Sequence, residues 1–257
     1  HDTALRRYAF TGWDSLAIRP LDTRNLLARA DAGALWLADA GRGDLFLVTT
    51  GGDWPGRVPM LAAAASFGQK IVALHTAAGT ATVTLADGTA HQVGSFGAQG
   101  VLGPPLDMRL SPDAVTAIGE DLVFAEGRAI RVYQPSTRGW YYLTDLPEAV
   151  ADLAFSDKLF AVGQSGRLYQ MEVPDGAWQA VSAGGAPAEM GSRALSDARA
   201  SGGRILLGGA GQVIGYAPQS RSFGGVWSGG RGEVAIIGAN AGVPLWVSGG
   251  QLLYGDQ

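Results

Sequence analysis

Five acids recur at comparable places along the chain: Asp22, Asp113, Asp152, Asp197 and Glu233. Each stands where a short apolar run begins. Carboxylates gathered in one place can do two kinds of work. Spread around an opening, they create a negative field that steers a cationic or polyhydroxylated partner. Paired at about 5–10 Å, with one of them protonated, they can cleave a glycosidic bond. The plainer alternative is that each acid caps the turn entering its strand.

Other chemistry is thin. There is no cysteine, so the chain has no disulfide framework, thiol nucleophile or thiolate metal site. His75 and His91 fall in neighbouring apolar runs and could approach each other, but a third metal ligand would have to be Asp or Glu. No metal and no cofactor are expected. Gly163-Gln-Ser-Gly-Arg167 approaches a serine elbow but ends in arginine and lies between two strand-like runs, not at a strand-to-helix corner. Ser165 is therefore not expected to act as a nucleophile. Arg42-Gly43-Asp44 is an integrin-type tripeptide in a hairpin turn. No catalytic residue is assigned.

Composition narrows the classes further. The 257 residues are 47% hydrophobic and only 16% charged, too apolar for a disordered chain. The net charge of −4 and the lack of a basic run argue against nucleic acid as a partner. Apolar runs such as 60–66 are far too short for a membrane span. Arginine replaces lysine almost throughout and alanine is abundant, a bias of GC-rich codons that suggests a bacterial source. The chain starts at His1 without a methionine, so it is processed or trimmed; a removed signal peptide would fit, as would a cloning remnant, and an extracytoplasmic protein, periplasmic or secreted, is expected.

The elements that would carry the acids emerge from an internal repeat. One unit has the runs 150–156, 158–163, 167–173 and 177–181, separated by Ser-Asp, Gln-Ser-Gly and Pro-Asp-Gly. Such separators tolerate the positive φ that tight hairpins demand. The same unit recurs at 114–144 and 196–228. Earlier copies take 60–66, 70–76, 80–86 and 89–94, and before them 25–30, 34–38 and 44–50 with a weaker run near 57–60. A last copy has three runs, 233–238, 243–248 and 251–255. A period near 40 residues with four short strands per unit predicts an all-β fold, a single β-propeller domain over 1–257. Six four-stranded blades are expected, with seven the alternative. The missing last strand is assigned to residues 5–18, which carry Gly12-Trp13, so that the two ends close one blade and leave no open sheet edge. Trp13, Trp140, Trp178 and Trp227 are expected to be equivalent residues between blades, with His91 in the same slot of its unit. The segments 94–112 and 182–193 read as long loops.

Val132-Tyr-Gln-Pro-Ser-Thr-Arg-Gly-Trp-Tyr-Tyr-Leu-Thr-Asp-Leu-Pro147 resembles a kelch repeat. Lys158–Val181, with Gly166-Arg-Leu-Tyr and then Trp178, resembles a tectonin-type unit. These resemblances imply a propeller used for recognition. The expected function is a non-catalytic, monomeric module that binds a protein or glycan through a loop-rich face. The alternative is a carbohydrate-active hydrolase or lyase that uses the acids near the channel.

Overall fold

The computed structural model describes residues 25–31, 34–49, 60–77, 79–96, 99–109, 112–181, 195, 197–232, 234–240, 242–248 and 251–255. The chain forms two compact units, His1–Pro112 and Asp113–Gln257. Among the described residues the fold is all-β, a six-bladed β-propeller with almost no helix. No helix among the described residues is long and apolar enough to cross a membrane.

The first unit holds two four-stranded antiparallel blades. One is β1 (Leu26–Asp31), β2 (Ala34–Asp39), β3 (Asp44–Thr49) and β4 (Met60–Ser66); the other is β5 (Ile71–Ala77), β6 (Thr80–Leu85), β7 (Thr89–Phe96) and β8 (Gln99–Arg109). The second unit holds four blades. They are β9 (Ala114–Ile118) to β12 (Gly139–Tyr142) with β10 (Asp121–Glu126) and β11 (Ala129–Gln134) between, and β13 (Val150–Phe155), β14 (Leu159–Gly163), β15 (Leu168–Met171) and β16 (Gln179–Ala180). Then come β17 (Asp197–Ser201), β18 (Arg204–Gly209), β19 (Gln212–Ala217) and β20 (Ser222–Ser228), and the three-stranded β21 (Val234–Asn240), β22 (Val243–Ser248) and β23 (Gln251–Tyr254).

The predicted count of six holds, but the first two units are one strand out of register with the expected phase. Met60–Ser66 pairs with β3 and closes the first blade, where the sequence suggested the opening strand of the second. The fourth strand of the second blade comes from 99–109, inside the segment expected to be a loop. Gly103-Pro-Pro disguises it, because proline cannot donate to a ladder. Here the prolines sit on an edge strand whose register shifts twice, where the lost donors matter least. The expected pairing of 5–18 with β23, and the loop 182–193, lie outside the described residues.

Hydrophobic layers between blades hold each unit together. In the first, Trp36, Leu45 and Leu47 pack on Leu74, Val83 and Val93. In the second, β14 shows the logic most clearly. All five of its residues are buried. Leu159 and Ala161 face the third blade, and Phe160 and Val162 face the fifth. A strand sandwiched in this way reads as a continuous apolar run rather than an alternation. Each buried side chain of this size contributes about 1.5–3 kcal/mol. The Arg42–Asp44 turn joins β2 to β3. Gly43 has φ 77° there and lies against the Gln69 backbone, so no side chain fits.

Candidate functional site

In the second unit β9, β13, β17 and β21 pack side by side, so acids on these strands can meet across blades. Asp152 lies opposite Val162 after a bulge in β13, and Asp197 lies opposite Gly208. Val162 and Gly208 hold the same place in β14 and β18, three residues after Leu159 and Ile205. The two acids are therefore true repeat equivalents.

Both are also tied to backbone. The Asp152 carboxyl accepts the N–H of Leu153 at 2.8 Å and, across the blade boundary, the N–H of Ala198 at 2.8 Å. Asp197 repeats the move one blade on and accepts the N–H of Ile236. Arg199 donates to the carbonyls of Ile236 at 3.0 Å and Ile237 at 2.9 Å. The result is a relay from the fourth blade through the fifth to the sixth. Burial and then the Asp197 charge push Asp152 well above the usual carboxylate range; the N–H groups of Ala198 and Leu153 oppose this without cancelling it.

Asp113 does different work. It is exposed, one residue before β9, and its carboxylate accepts the N–H of Gly127 at 2.7 Å in the β10–β11 turn of its own blade. The structure does not bring it to Asp152 and Asp197. Asp22 and Glu233 lie outside the described residues.

Sequence reasoning missed the fourth blade's counterpart of Asp113. Glu148, two residues before β13, accepts the N–H and the Oγ–H of Ser165, each at 2.7 Å, and the Tyr169 hydroxyl at 2.7 Å. Burial by itself would raise the Glu148 pKa; the hydrogen bonds from Ser165 and Tyr169 and the Arg167 charge outweigh it and bring the group below its ordinary value. A Cβ on Gly163 would collide with this carboxylate. Ser165 thus donates to a turn cap. The available signal was an acid just ahead of the first strand, paired with a Gly-Gln-Ser-Gly turn.

The histidines do not meet. His75 lies opposite Thr82 and His91 opposite Val83, adjacent residues of β6, so the rings project from opposite faces of the sheet. Burial, reinforced by the Arg29 charge, lowers His75 to about 3, against a hydrogen bond to the Pro112 backbone. His91 stands in a third strand, not the fourth-strand slot expected, with its ring tilted against Phe67 at 5.2 Å. Among the described residues no group of three or more His, Asp or Glu could hold a metal ion. In the Arg42-Gly43-Asp44 turn both side chains point to their own blade: Arg42 pairs with Asp39 at 3.5 Å, and Asp44 accepts from Ser66 at 2.7 Å.

The tryptophans divide as well. Trp227 is buried between the fifth and sixth blades. Trp178 is half-buried at the opposite boundary of its own blade, packs on the layer shared with the third, and donates its indole N–H to the Thr144 carbonyl at 2.7 Å. Trp140 stacks within its own blade on Tyr133 at 4.9 Å and Phe124 at 5.5 Å. They are not equivalent, and Trp13 lies outside the described residues.

No family model matches the chain, and no curated protein matches its sequence. Solved structures do share the fold. A computationally designed protein, Ika8, superposes with a TM-score of 0.56 at 13% identity, over 88% of this chain and 69% of its own. PorZ, an essential bacterial surface component of the type-IX secretion system of Porphyromonas gingivalis, superposes with a TM-score of 0.54 at 15% identity. That match covers 88% of this chain, which spans about a third of PorZ, 32%. At these identities the likeness is one of fold. Neither match distinguishes a kelch-like from a tectonin-like repeat.

Proposed function

We propose that this protein is a non-catalytic propeller module that binds a protein or glycan through a loop-rich face. The observation that carries the reading is the use of the first-strand acids. Asp152 and Asp197 each reach across a blade boundary to a backbone N–H, whereas a glycosidase keeps its two carboxyls free to face a sugar or a water between them. Their oxygens are already engaged by N–H groups of Leu153, Ala198 and Ile236. That leaves them poorly placed to attack or protonate a substrate. Among the described members of the set, Asp113, exposed beside the β10–β11 turn, is the one able to lend negative charge to a binding face. PorZ is a bacterial surface component, and an extracytoplasmic, bacterial setting for this chain is in keeping with that likeness of fold.

Binding of labelled protein to a glycan array, in parallel with a reducing-end release assay on the same glycans, tests the reading. Retention without cleavage supports the glycan branch. No retention and no cleavage directs the search to protein partners. Catalytic release that disappears in D152N would overturn the non-catalytic reading and restore the hydrolase.

A further inference from the structure

Tyr142 ends β12, the edge strand of the third blade, and is 66% exposed. Register decides what stands beside it. Tyr142 lies opposite Arg131 of β11, and Arg131 lies opposite Phe124 of β10. Glu126 is two residues beyond Phe124 and therefore on the same face of the sheet. The alternate residues, among them Val123, Ala125, Ile130 and Val132, form the layer shared with the fourth blade. Glu126, Arg131 and Tyr142 thus share the opposite face, next to the β10–β11 turn that Asp113 caps. The Arg131 guanidinium carbon lies 5.5 Å from the centre of the Tyr142 ring. One of its terminal nitrogens lies 3.5 Å from a Glu126 carboxylate oxygen.

We propose that Glu126, Arg131 and Tyr142 form a subsite for one neutral hexose ring, a glycan site that rests on the recognition reading above. A pyranose has an apolar C–H face and a rim of hydroxyls, each able to donate and to accept. An exposed tyrosine offers a flat, rigid platform for that face at little entropic cost. The Glu126 carboxylate only accepts and the Arg131 guanidinium only donates, so together they serve both halves of two neighbouring hydroxyls. Both keep that capacity. Their mutual contact is an ion pair too long for a good hydrogen bond, and among the described residues neither side chain hydrogen-bonds elsewhere. The inner Nε of Arg131 is buried without a partner, so packing and the ring contact hold the group in place. Charge and size select the ligand. Around the turn Asp113 and Glu126 stand against Arg128 and Arg131, so an anionic glycan gains no net attraction. A protein interface is built on a contiguous apolar core. The other exposed large apolar side chains among the described residues, Val72, Val226 and Tyr254, stand on the second, fifth and sixth blades. Tyr142 is thus a platform for one ring and not part of a patch.

The test is a glycan array probed with the labelled full chain as wild type, Y142A, E126A and Y254A. The array carries neutral oligosaccharides and, separately, sialylated and sulfated ones. Wild type is expected on neutral glycans, and Y142A and E126A are each expected to lower that retention by about tenfold or more. Y254A removes an exposed tyrosine of the sixth blade and is expected to bind as wild type does. Tyr142 is exposed and Glu126 partly so, and both variants are expected to melt within about 2 °C of the parent. Retention of Y142A at the parent level, or an equal loss in Y254A, would refute the subsite and leave the glycan reading standing. Retention confined to sialylated or sulfated glycans refutes it as well. A wild type held by no glycan would remove the subsite and the glycan branch together, and leave the protein-binding reading.

Discussion

Trp178 offers a quantitative probe of the boundary between the third and fourth blades. It contributes in two separable ways. Its indole N–H donates to the Thr144 carbonyl at 2.7 Å, and its half-buried rings cover the layer built on Val132, Leu146 and Leu159. Phenylalanine at 178 removes the hydrogen bond and retains most of the packing. Thr144 is exposed, so water can take over its carbonyl, and the loss is about 1 kcal/mol. Alanine removes both. Deleting a fully buried tryptophan costs about 3–5 kcal/mol; half-burial brings the packing share to about 2 kcal/mol and the total to about 3 kcal/mol. For a chain of this size these losses lower the melting midpoint by about 2–4 °C for W178F and about 6–12 °C for W178A. Far-UV circular dichroism on heating reads both. W140F is the control: the Trp140 indole N–H is buried without a partner among the described residues, so the hydrogen-bond loss should be missing. Two Trp178 variants that melt like the parent would show that the residue is a surface aromatic, and the seam argument would fall with it.

The remaining predictions concern the turn cap and the next seam. E148A removes the acceptor of three hydrogen bonds and should cost about 1–2 kcal/mol after allowance for solvent screening. Because the Glu148 pKa is lowered on folding, its contribution is present above the ordinary glutamate pKa and lost as pH falls through the folded value, so wild type and E148A should converge in acid melts. G163A forces a methyl into the Glu148 carboxylate; it should destabilise the parent but cost much less in an E148A background, a non-additivity that a double-mutant cycle measures. W227A opens the fifth–sixth boundary, where the side chain is 5% exposed, and should cost about 3–5 kcal/mol in urea unfolding.

Local information in the sequence was enough for the architecture. Hairpin signals such as Gln-Ser-Gly and the fully buried run Leu159–Gly163 are written in adjacent residues, and their recurrence near every 40 residues specified six blades. The phase of the first two blades was not legible, because a strand built around Gly103-Pro-Pro lacks the local marks of one and pairs only through contacts with β7. The acids show the same divide. Their recurrence ahead of apolar runs was plain, yet Asp113 falls one residue out of step with Asp152 and Asp197. In a strand one residue is a change of face, so Asp113 caps a turn while the other two reach the next blade. The bulge between Val150 and Asp152 completes that alignment, and a bulge is settled by how two strands twist against each other, not by the identity of the extra residue. Sequence alone thus determined which residues recur. The tertiary structure decided what each one touches, since side-chain direction depends on register and burial, and both arise only when the blades pack.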